Sequence, residues 1–399
     1  MKLRSLALAA ALLASTGLAA FAQTPVKIGI LNDQSGVYAD FGGKWSIDAA
    51  KMAVEDFGGK VLDRPIELVT ADHQNKPDVA TAIARKWYDT EGVDAIMELT
   101  TSSVALAVQD LSREKKKIDI VTGAATTALT GKSCSPYGFH WAYDTHSLAV
   151  GTGGALVENG GDTWFFLTVD YAFGHALEAD TAKYVKSKGG KVIGSVRHPL
   201  NTPDFSSFVL QAQSSGAKVI GLANAGQDTV NSIKQAAEFG VTQGGKQRIA
   251  ALLFTLADVH GLGLKSAQGS VLTEAWYWDQ NDETRAFAKR FMARMGRMPN
   301  MIHVGTYSAV LSYLKAVKAA GTTETEAVAK KLHELLVDDG FTKGGMALAT
   351  GARTFKMNPF QGKPPDESKA PRHYYKQLSK IPGAQAFETV EESGCKVGG

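Results

Sequence analysis

The stretch VKIGILNDQSGVYADFGG, residues 26–43, decides the fold of this 399-residue chain. Its first residues alternate between Val or Ile and Lys or Gly, which predicts a short β-strand. A small, polar turn follows, and apolar residues then recur at helical spacing over 45–57. Strand, loop and helix in this order open a βαβ unit. Because ligands of open α/β sheets bind beyond the carboxyl ends of strands, the loop 35–43 is the first candidate for a site.

The same strand–loop–helix pattern recurs along the chain in two runs. The first run continues with predicted strands at 65–71, 93–99 and 118–121. The second run has predicted strands at 163–168, 191–196, 219–223 and 249–256. Strict alternation of strands and helices is typical of parallel sheets with helices on both faces. We therefore predict an α/β fold with two doubly wound, Rossmann-like lobes.

The charge balance argues against a nucleic-acid partner. The net charge is +3, and two of the positive charges, Lys2 and Arg4, lie in the N-terminal leader. The rest of the chain is close to neutral and lacks the basic face that nucleic-acid binding requires.

Residues 1–22 have the pattern of a secretory signal peptide. Lys2 and Arg4 precede an apolar stretch, and Ala20-Phe21-Ala22 forms an A-x-A cleavage site. The apolar stretch is shorter than the roughly 20 residues that span a bilayer. We expect cleavage near Ala22 and a mature protein outside the cytoplasm.

The chain has two cysteines, Cys134 and Cys395. A single pair in an exported protein favours a disulfide, here between the C-terminal tail and the loop after the fourth predicted strand. Two free thiols are the alternative.

Motifs for catalysis, metals or cofactors are missing from the sequence. The nearest approach to a Walker A loop has Tyr38 and Trp45 where Gly and Ser or Thr belong. There is no G-x-S-x-G elbow and no H-E-x-x-H, and the nine histidines are dispersed. We therefore predict a protein that is not an enzyme and has no cofactor or metal.

Hydroxyl-bearing and small residues follow two neighbouring predicted strands. Residues 100–103 (TTSS) directly precede a helix, where free backbone N–H groups and the helix dipole favour an anion. Ala124, Ala125 and Thr126 repeat this arrangement at the next strand end. Ordinary N-capping by Ser or Thr is the alternative for each, but two adjacent ends favour a carboxylate site.

Three aromatic residues lie on predicted polar loops: Phe41, Tyr171 and Phe173. Aromatic side chains in such loops indicate a pocket for an apolar or planar ligand. Local packing beneath the loops is the alternative.

Seven motifs carry a family resemblance: residues 26–43, ELTTSSVALAV (98–108), GAATTALTG (123–131), DYAFGHAL (170–177), GVTQ (240–243), TEAWYWDQNDETRAFAKRF (273–291) and HVGTYSAVLSYLKAVKAAG (303–321). With them, the chain from Val26 to about Tyr375 resembles the type I periplasmic solute-binding proteins of ABC importers. The similarity is to the branch that binds branched-chain amino acids, and within it to the aromatic-compound subgroup.

This resemblance implies two lobes joined by a three-strand hinge, closing over a ligand like a trap. The crossings are expected near 142–145, 272–276 and 347–352. The lobes then comprise 23–143 plus 273–348 and 144–272 plus 349–385, followed by a tail at 386–399. The implied partners are a small carboxylate and an inner-membrane ABC permease, and the protein is expected to be a monomer.

The resemblance also implies roles for individual residues. The family's aromatic wall in the first loop falls on Phe41, and its second-lobe aromatic falls on Phe173, with Tyr171 adjacent. Its carboxylate-binding hydroxyl and backbone groups fall on Thr101, Ser102, Ala124, Ala125 and Thr126.

One departure from the family pattern concerns the ligand's ammonium group. Amino acid binders of the family hold it with an acidic residue after the last strand of the second lobe, but residues 251–256 (ALLFTL) contain none. A buried ammonium without a carboxylate partner costs several kcal/mol. We therefore expect an aromatic acid: a benzoate or hydroxybenzoate, a hydroxycinnamate or an aryl keto acid. Asn224 and Gln227 are expected to bind a ring hydroxyl or keto group, and Phe254 to face the ring.

Several alternatives stay open. Branched-chain or other amino acids are the runner-up ligands, with Asp258 or Asp228 holding the ammonium group. A sensor that binds an amide or urea, or an exported enzyme on this fold, are further alternatives. Trp276 and Trp278 alternate near the hinge and face either the cleft or the core.

Overall fold

The structure is a computed structural model that describes residues 24–396. The predicted signal peptide and the last three residues of the predicted tail lie outside this range. None of the helices within 24–396 combines the length and apolar character needed to cross a bilayer.

The strands form two large sheets and one small one. The sixteen strands are β1 (Val26–Asn32), β2 (Lys60–Val61), β3 (Arg64–Asp72), β4 (Ala95–Glu98), β5 (Ile118–Val121), β6 (Gly138–His140), β7 (Thr163–Val169), β8 (Lys191–His198), β9 (Val219–Ala223), β10 (Arg248–Ala251), β11 (Val271–Glu274), β12 (Val337–Asp338), β13 (Lys343–Ala347), β14 (Arg353–Thr354), β15 (Asn358–Gly362) and β16 (Tyr375–Gln377).

The first sheet has the order β2-β3-β1-β4-β5-β6 and the second the order β16-β15-β11-β10-β9-β7-β8. Pairing is parallel except where the short β2 and the late strands β15 and β16 join. Strands such as β5 and β9 are buried along their whole length, as expected for parallel strands covered on both faces. The predicted fold of two doubly wound lobes is confirmed, and we call them the first and second lobe after their sheets.

Residues 24–396 contain fifteen α-helical segments, the last two of which follow the final strand. They are α1 (Gly43–Phe57), α2 (Pro77–Lys86), α3 (Ser102–Glu114), α4 (Thr145–Leu148), α5 (Gly154–Glu158), α6 (Ala172–Ser187), α7 (Ser206–Ser214), α8 (Gln227–Glu238), α9 (Leu256–Leu262), α10 (Leu264–Ala267), α11 (Asp282–Met295), α12 (Met301–Ala320), α13 (Thr325–Glu334), α14 (Gly383–Ala386) and α15 (Val390–Ser393).

Helix α12 anchors the late part of the chain to the first lobe. It packs against α1 and is buried over most of its length. The side chain of Asn300 starts it by accepting hydrogen bonds from the N–H groups of Ile302 and His303, at 3.0 and 3.1 Å, a strong N-cap. The Asn300 amide also donates to the carbonyl of Phe41 at 2.9 Å. The cap therefore fixes the loop between β1 and α1, in which the first candidate site residue lies.

The chain passes between the lobes after β11. This strand keeps Thr273 and Glu274 in the second sheet, paired with Pro359 and Asn358. We therefore propose that the second crossing starts after Glu274, which lies within the expected range 272–276. A parallel bridge joins His140, two residues before the first proposed crossing, to Ala352 at the end of the third.

The C-terminal tail ends on the first lobe. The predicted disulfide between Cys134 and Cys395 is present, with an S–S distance of 2.07 Å. Before it, Phe387 is buried against Phe355, with ring centroids 5.1 Å apart. Glu388 accepts from Lys183 of α6 at 3.3 Å. The tail thus touches the second lobe before it is tied to the first.

Candidate functional site

A cavity lies between the two lobes, at the carboxyl ends of their parallel strands. It measures about 210 Å³, counting its opening to solvent, and is lined by Tyr38, Phe41, Thr100, Ser102, Gly123, Ala125, Tyr143, Tyr171, Phe173, Ala225 and Leu253. None of these lining residues carries a charge.

Five of the predicted site residues meet at this cavity. Phe41 and Ser102 line it from the first lobe together with Ala125, while Tyr171 and Phe173 line it from the second. Phe41 and Phe173 are each 3% exposed. The strand ends singled out in the sequence therefore converge, as parallel topology requires.

Three helices begin at this cavity. Ser102 is the first residue of α3, Tyr171 is the N-cap of α6, and Ala225 directly precedes Gly226, the N-cap of α8. None of these helices has a side chain that caps its N-terminus. The first N–H groups of a helix have no intrahelical acceptor, and the helix dipole adds positive potential there. The cavity therefore favours a negatively charged group although no cationic side chain lines it.

The hydroxyls at the start of α3 add donors to this anion-favouring end. Thr101 is 1% exposed, and its Oγ1 has no hydrogen-bond partner within residues 24–396. The Oγ of Ser102 accepts from the N–H of Thr126 at 3.3 Å, which leaves the Ser102 hydroxyl proton available. A buried hydroxyl without a partner costs free energy. Thr101 does not itself line the cavity, but it lies directly beside Ser102.

Ala124 and Thr126 are close to the cavity without lining it. The Ala124 N–H donates to the carbonyl of Leu99 at 3.1 Å, and its own carbonyl bonds the His140 ring at 2.8 Å. The Thr126 hydroxyl accepts from Ala128 N–H at 3.3 Å. Both residues therefore support the loop that presents Ala125.

The side chain of Asn224 makes its hydrogen bonds within the second lobe. Its amide nitrogen is 3.0 Å from His198 Nε2 and donates to Ser232 Oγ at 3.1 Å. Its amide oxygen accepts from Thr229 at 2.7 Å. With these partners, its side chain does not line the cavity.

Two further predicted residues also face away from the cavity. Gln227 is exposed at the start of α8 and donates to Asn231 at 2.8 Å. Phe254 is fully buried in the hydrophobic core of the second lobe. Leu253, one residue earlier, lines the cavity instead.

The two tryptophans near the second crossing pack in the structure rather than lining the cavity. Trp276 is 1% exposed and donates from Nε1 to the carbonyl of Gly340 at 2.8 Å. Trp278 donates to the carbonyl of Arg372 at 2.9 Å. Of the two alternatives, the structure supports packing.

Sequence reasoning missed Tyr38, Gly123, Tyr143, Ala225 and Leu253 as lining residues, whereas Thr100 belongs to the stretch 100–103 that it singled out. Tyr38 lies on the same polar loop as Phe41, so the argument from aromatics on loops applied to it equally. Tyr143 falls within the predicted first crossing and carried no other signal.

The two acids considered as ammonium partners accept hydrogen bonds from other residues. Asp228 accepts from the N–H groups of Asn201 and Thr202, both at 3.0 Å. Asp258 accepts from the N–H and the hydroxyl of Thr255 at 2.7 and 2.8 Å, capping α9. Burial raises the pKa of each carboxyl to about 6. Neither lines the cavity.

Glu98 lies behind the first-lobe wall of the cavity. It is fully buried at the end of β4, and its Oε2 accepts from Thr100 Oγ1 at 2.6 Å. Thr100 in turn accepts from Asp33 N–H at 2.9 Å. Burial raises the pKa of the Glu98 carboxyl to about 8. Gly42 is required beside it, because a Cβ at that position would overlap Glu98 Oε1.

Glu98→Gln is expected to change how stability depends on pH. An unfolded glutamate loses its proton near pH 4.5, whereas folded Glu98 holds it to about pH 8. Between these values the folded state binds more protons, so wild-type stability falls as pH rises. The variant has no such ionisable group. The difference between its melting temperature and that of wild type should therefore shift by about 5 °C in favour of the variant from pH 5 to pH 8, as measured by calorimetry.

Glu238→Gln, at an exposed position on α8, serves as the control and should show no such trend. A difference between Glu98→Gln and wild type that stays constant from pH 5 to pH 8 would contradict the buried-acid interpretation.

Within residues 24–396, no group of three or more His, Cys, Asp or Glu side chains is placed to hold a metal ion.

Comparison with known proteins identifies the family. Residues 25–369 match the family described as "Periplasmic binding protein". A periplasmic binding protein from Burkholderia mallei shares 51% identity and a TM-score of 0.92, covering 94% of this chain and 99% of its own. A branched-chain amino acid ABC transporter periplasmic ligand-binding protein from Burkholderia xenovorans shares 40% identity and a TM-score of 0.84, covering 93% and 99%.

More distant relatives differ in the ligands their descriptions name. The Leu/Ile/Val-binding protein homolog 6 of Brucella melitensis is 27% identical over 80% of this chain and 82% of its own length. An ABC transporter solute-binding protein from Rhodopseudomonas palustris, solved with benzoate, is 20% identical with a TM-score of 0.82, covering 94% and 100%. This last similarity shows the fold alone.

The matched family spans most of the chain, and its members are binding proteins that work with a membrane permease rather than enzymes. The two α/β lobes and the cavity between them are consistent with this. The chain belongs to the periplasmic binding protein family and is a solute-binding protein of an ABC transporter.

Proposed function

We propose that this protein captures an aromatic carboxylate in the cavity between its lobes and delivers it to an inner-membrane permease. The observation that carries the proposal is the cavity's composition. Five aromatic side chains and three helix N-termini meet there, and no lining residue is acidic. The proposal includes export to the periplasm, cleavage near Ala22 and action as a monomer.

The carboxylate is proposed to bind at the start of α3. Ser102 lines the cavity with its hydroxyl available, and it is the first residue of the helix, where the N–H groups have no intrahelical acceptor. The unpartnered hydroxyl of Thr101 is a further donor next to it. Hydrogen bonds to a charged group contribute about 1.5–3 kcal/mol each.

The ring is proposed to lie among the aromatic side chains. Tyr38 and Phe41 are 6.3 Å apart between ring centroids on the first lobe, and Tyr171 and Phe173 are 6.0 Å apart on the second. Such separations are usual for favourable aromatic contacts. Closure of the lobes would therefore place a planar ligand between two aromatic pairs.

An ammonium group would be poorly accommodated in this cavity. Asp228 and Asp258, the acids weighed for this role, already accept hydrogen bonds from backbone N–H groups, and the lining residues are uncharged. An unpaired ion in a buried site costs several kcal/mol. This disfavours an amino acid relative to an acid of the same size.

Branched-chain amino acids remain the second candidate, because of what two relatives are described as binding. The Burkholderia xenovorans neighbour is described as a branched-chain amino acid transporter component, and the Brucella protein as a Leu/Ile/Val-binding homolog. The Rhodopseudomonas neighbour solved with benzoate shares only the fold with this chain.

A ligand panel tests the proposal. Benzoate, 4-hydroxybenzoate, 4-hydroxycinnamate and phenylpyruvate are compared with leucine and valine by calorimetric titration of the mature protein. Benzamide, which keeps the ring but lacks the charge, is the matched control. At 100 times its dissociation constant, a true ligand stabilises the folded state by about 2.7 kcal/mol.

We expect aromatic acids to bind, and benzamide, leucine and valine not to. Binding of leucine with no response to any aromatic acid would overturn the aromatic assignment. Equal binding of benzamide and benzoate would overturn the carboxylate anchor.

A further inference from the structure

Two tyrosine hydroxyls meet across the cavity. Tyr38 lies on the loop after β1 in the first lobe, and Tyr171 is the N-cap of α6 in the second. Their hydroxyl oxygens are 2.9 Å apart, and both side chains line the cavity. This hydrogen bond joins the lobes directly beside the space for the ligand.

The backbone of the second lobe is shaped to receive Tyr38. Gly226 has φ +59°, and a Cβ there would lie 3.1 Å from Tyr38 Cδ1 and 2.9 Å from the carbonyl oxygen of Val37. A side chain at 226 would therefore push the first-lobe loop away. Tyr38 is 3% exposed as a result, so the position of its hydroxyl is well defined when the lobes are closed.

The two hydroxyls leave one proton without an acceptor. A phenol donates one hydrogen bond and accepts others, and the bond between Tyr38 and Tyr171 uses one of their two protons. Within residues 24–396 neither hydroxyl has another partner. The third lining tyrosine, Tyr143, donates to the carbonyl of Gly123.

The other hydroxyls that line the cavity have hydrogen-bond partners or a different proposed role. Thr100 donates to Glu98 and accepts from Asp33. Ser102 lies at the proposed carboxylate end. The tyrosine pair is therefore a second polar point in a cavity whose walls are otherwise apolar or aromatic, and it suits a group that both accepts and donates.

We propose that the Tyr38–Tyr171 pair selects aromatic acids that carry a ring hydroxyl over those that do not. This inference rests on the proposed function and adds the residues that set ligand preference. A ring hydroxyl would accept the spare phenolic proton and donate to the free lone pairs. A bare ring would leave that proton unpaired, which sites built for a hydroxyl penalise.

The test compares benzoate with 3- and 4-hydroxybenzoate by calorimetric titration. We expect wild type to bind the better hydroxybenzoate about tenfold more tightly than benzoate. In Tyr38→Phe and Tyr171→Phe the ratio of the two dissociation constants should fall toward one. If the pair only held the lobes together, its loss would weaken the binding of all ligands equally and leave this ratio unchanged. The ratio therefore distinguishes ligand preference from lobe closure.

Tyr88→Phe is the matched control. Tyr88 is also a buried first-lobe tyrosine, but its hydroxyl bonds Ser112 at 2.8 Å and does not line the cavity. This variant should keep the wild-type ratio. Equal wild-type affinity for benzoate and both hydroxybenzoates would overturn the inference and leave the proposed function standing. A preference that survives both tyrosine variants would also overturn it. Binding of no aromatic acid at all would overturn the proposed function, and with it this inference.

Discussion

A Thr101→Val/Ser102→Ala double variant is expected to bind benzoate at least 100-fold more weakly than wild type, as a rough lower bound. Both hydroxyls lie at the start of α3, and both side chains are 1% exposed. Each bond from a hydroxyl to a carboxylate contributes about 1.5–3 kcal/mol, and the two losses fall on the same group. Calorimetric titration with benzoate measures the effect.

The variant should fold, because neither hydroxyl holds the helix together. Thr101 makes no side-chain hydrogen bond at the N-cap. Ser102 accepts only one weak bond, from Thr126 at 3.3 Å. We therefore expect the melting temperature without ligand to fall by only a few degrees, on the order of 1 kcal/mol.

Ser103→Ala is the matched control for the helix terminus. Ser103 is the next residue of α3 and is half-buried, but it does not line the cavity. It should bind benzoate nearly as well as wild type. If the double variant binds benzoate as tightly as wild type, the carboxylate does not bind at α3. The two single variants then give the separate contributions to benzoate affinity of Thr101, which does not line the cavity, and of Ser102, which does.

The sequence predicted a site residue well where its place at the end of a strand was enough, and poorly where the side chain's direction had to be known. Phe41, Ser102 and Ala125 follow strands of one parallel sheet, and topology alone places such residues at one edge. Tyr171 and Phe173 follow β7 in the same way in the second sheet. These predictions needed no knowledge of side-chain direction, which explains why the structure brings all five together.

Two of the predicted residues, Asn224 and Phe254, lie away from the cavity because the direction of a side chain does not follow from its position in the chain. β10 ends at Ala251, so strand alternation no longer fixes which way the next residues point. Leu253 consequently lines the cavity, whereas Phe254 packs into the second-lobe core. Asn224 sits at the correct strand end, but its partners His198 and Thr229 come from positions that no local pattern reveals.

Contacts between the lobes were the least accessible to sequence reasoning. Tyr38 and Tyr171 are 133 positions apart, and their meeting depends on how the lobes close. Neither local propensity nor hydrophobic periodicity encodes that arrangement. The disulfide was different: the chain has two cysteines and is predicted to be exported, so counting alone predicted the pair.

Removing this disulfide with Cys134→Ala/Cys395→Ala is expected to lower the free energy of unfolding by about 2–5 kcal/mol. The bond closes a loop with a sequence separation of 261 residues, and a long closed loop restricts the unfolded chain strongly. For a chain of this size that corresponds to a fall of roughly 5 °C in melting temperature. Differential scanning calorimetry of the mature protein measures it.

Two comparisons assign this loss to the covalent bond. A reductant should lower the melting temperature of wild type toward that of the double variant and leave the variant unchanged. Benzoate affinity should change less than about twofold, because neither cysteine lines the cavity. The tail has other anchors, Phe387 packed on Phe355 and Glu388 paired with Lys183. If these contacts alone hold the tail, the double variant will have the same melting temperature as wild type, and the predicted contribution of the disulfide is wrong.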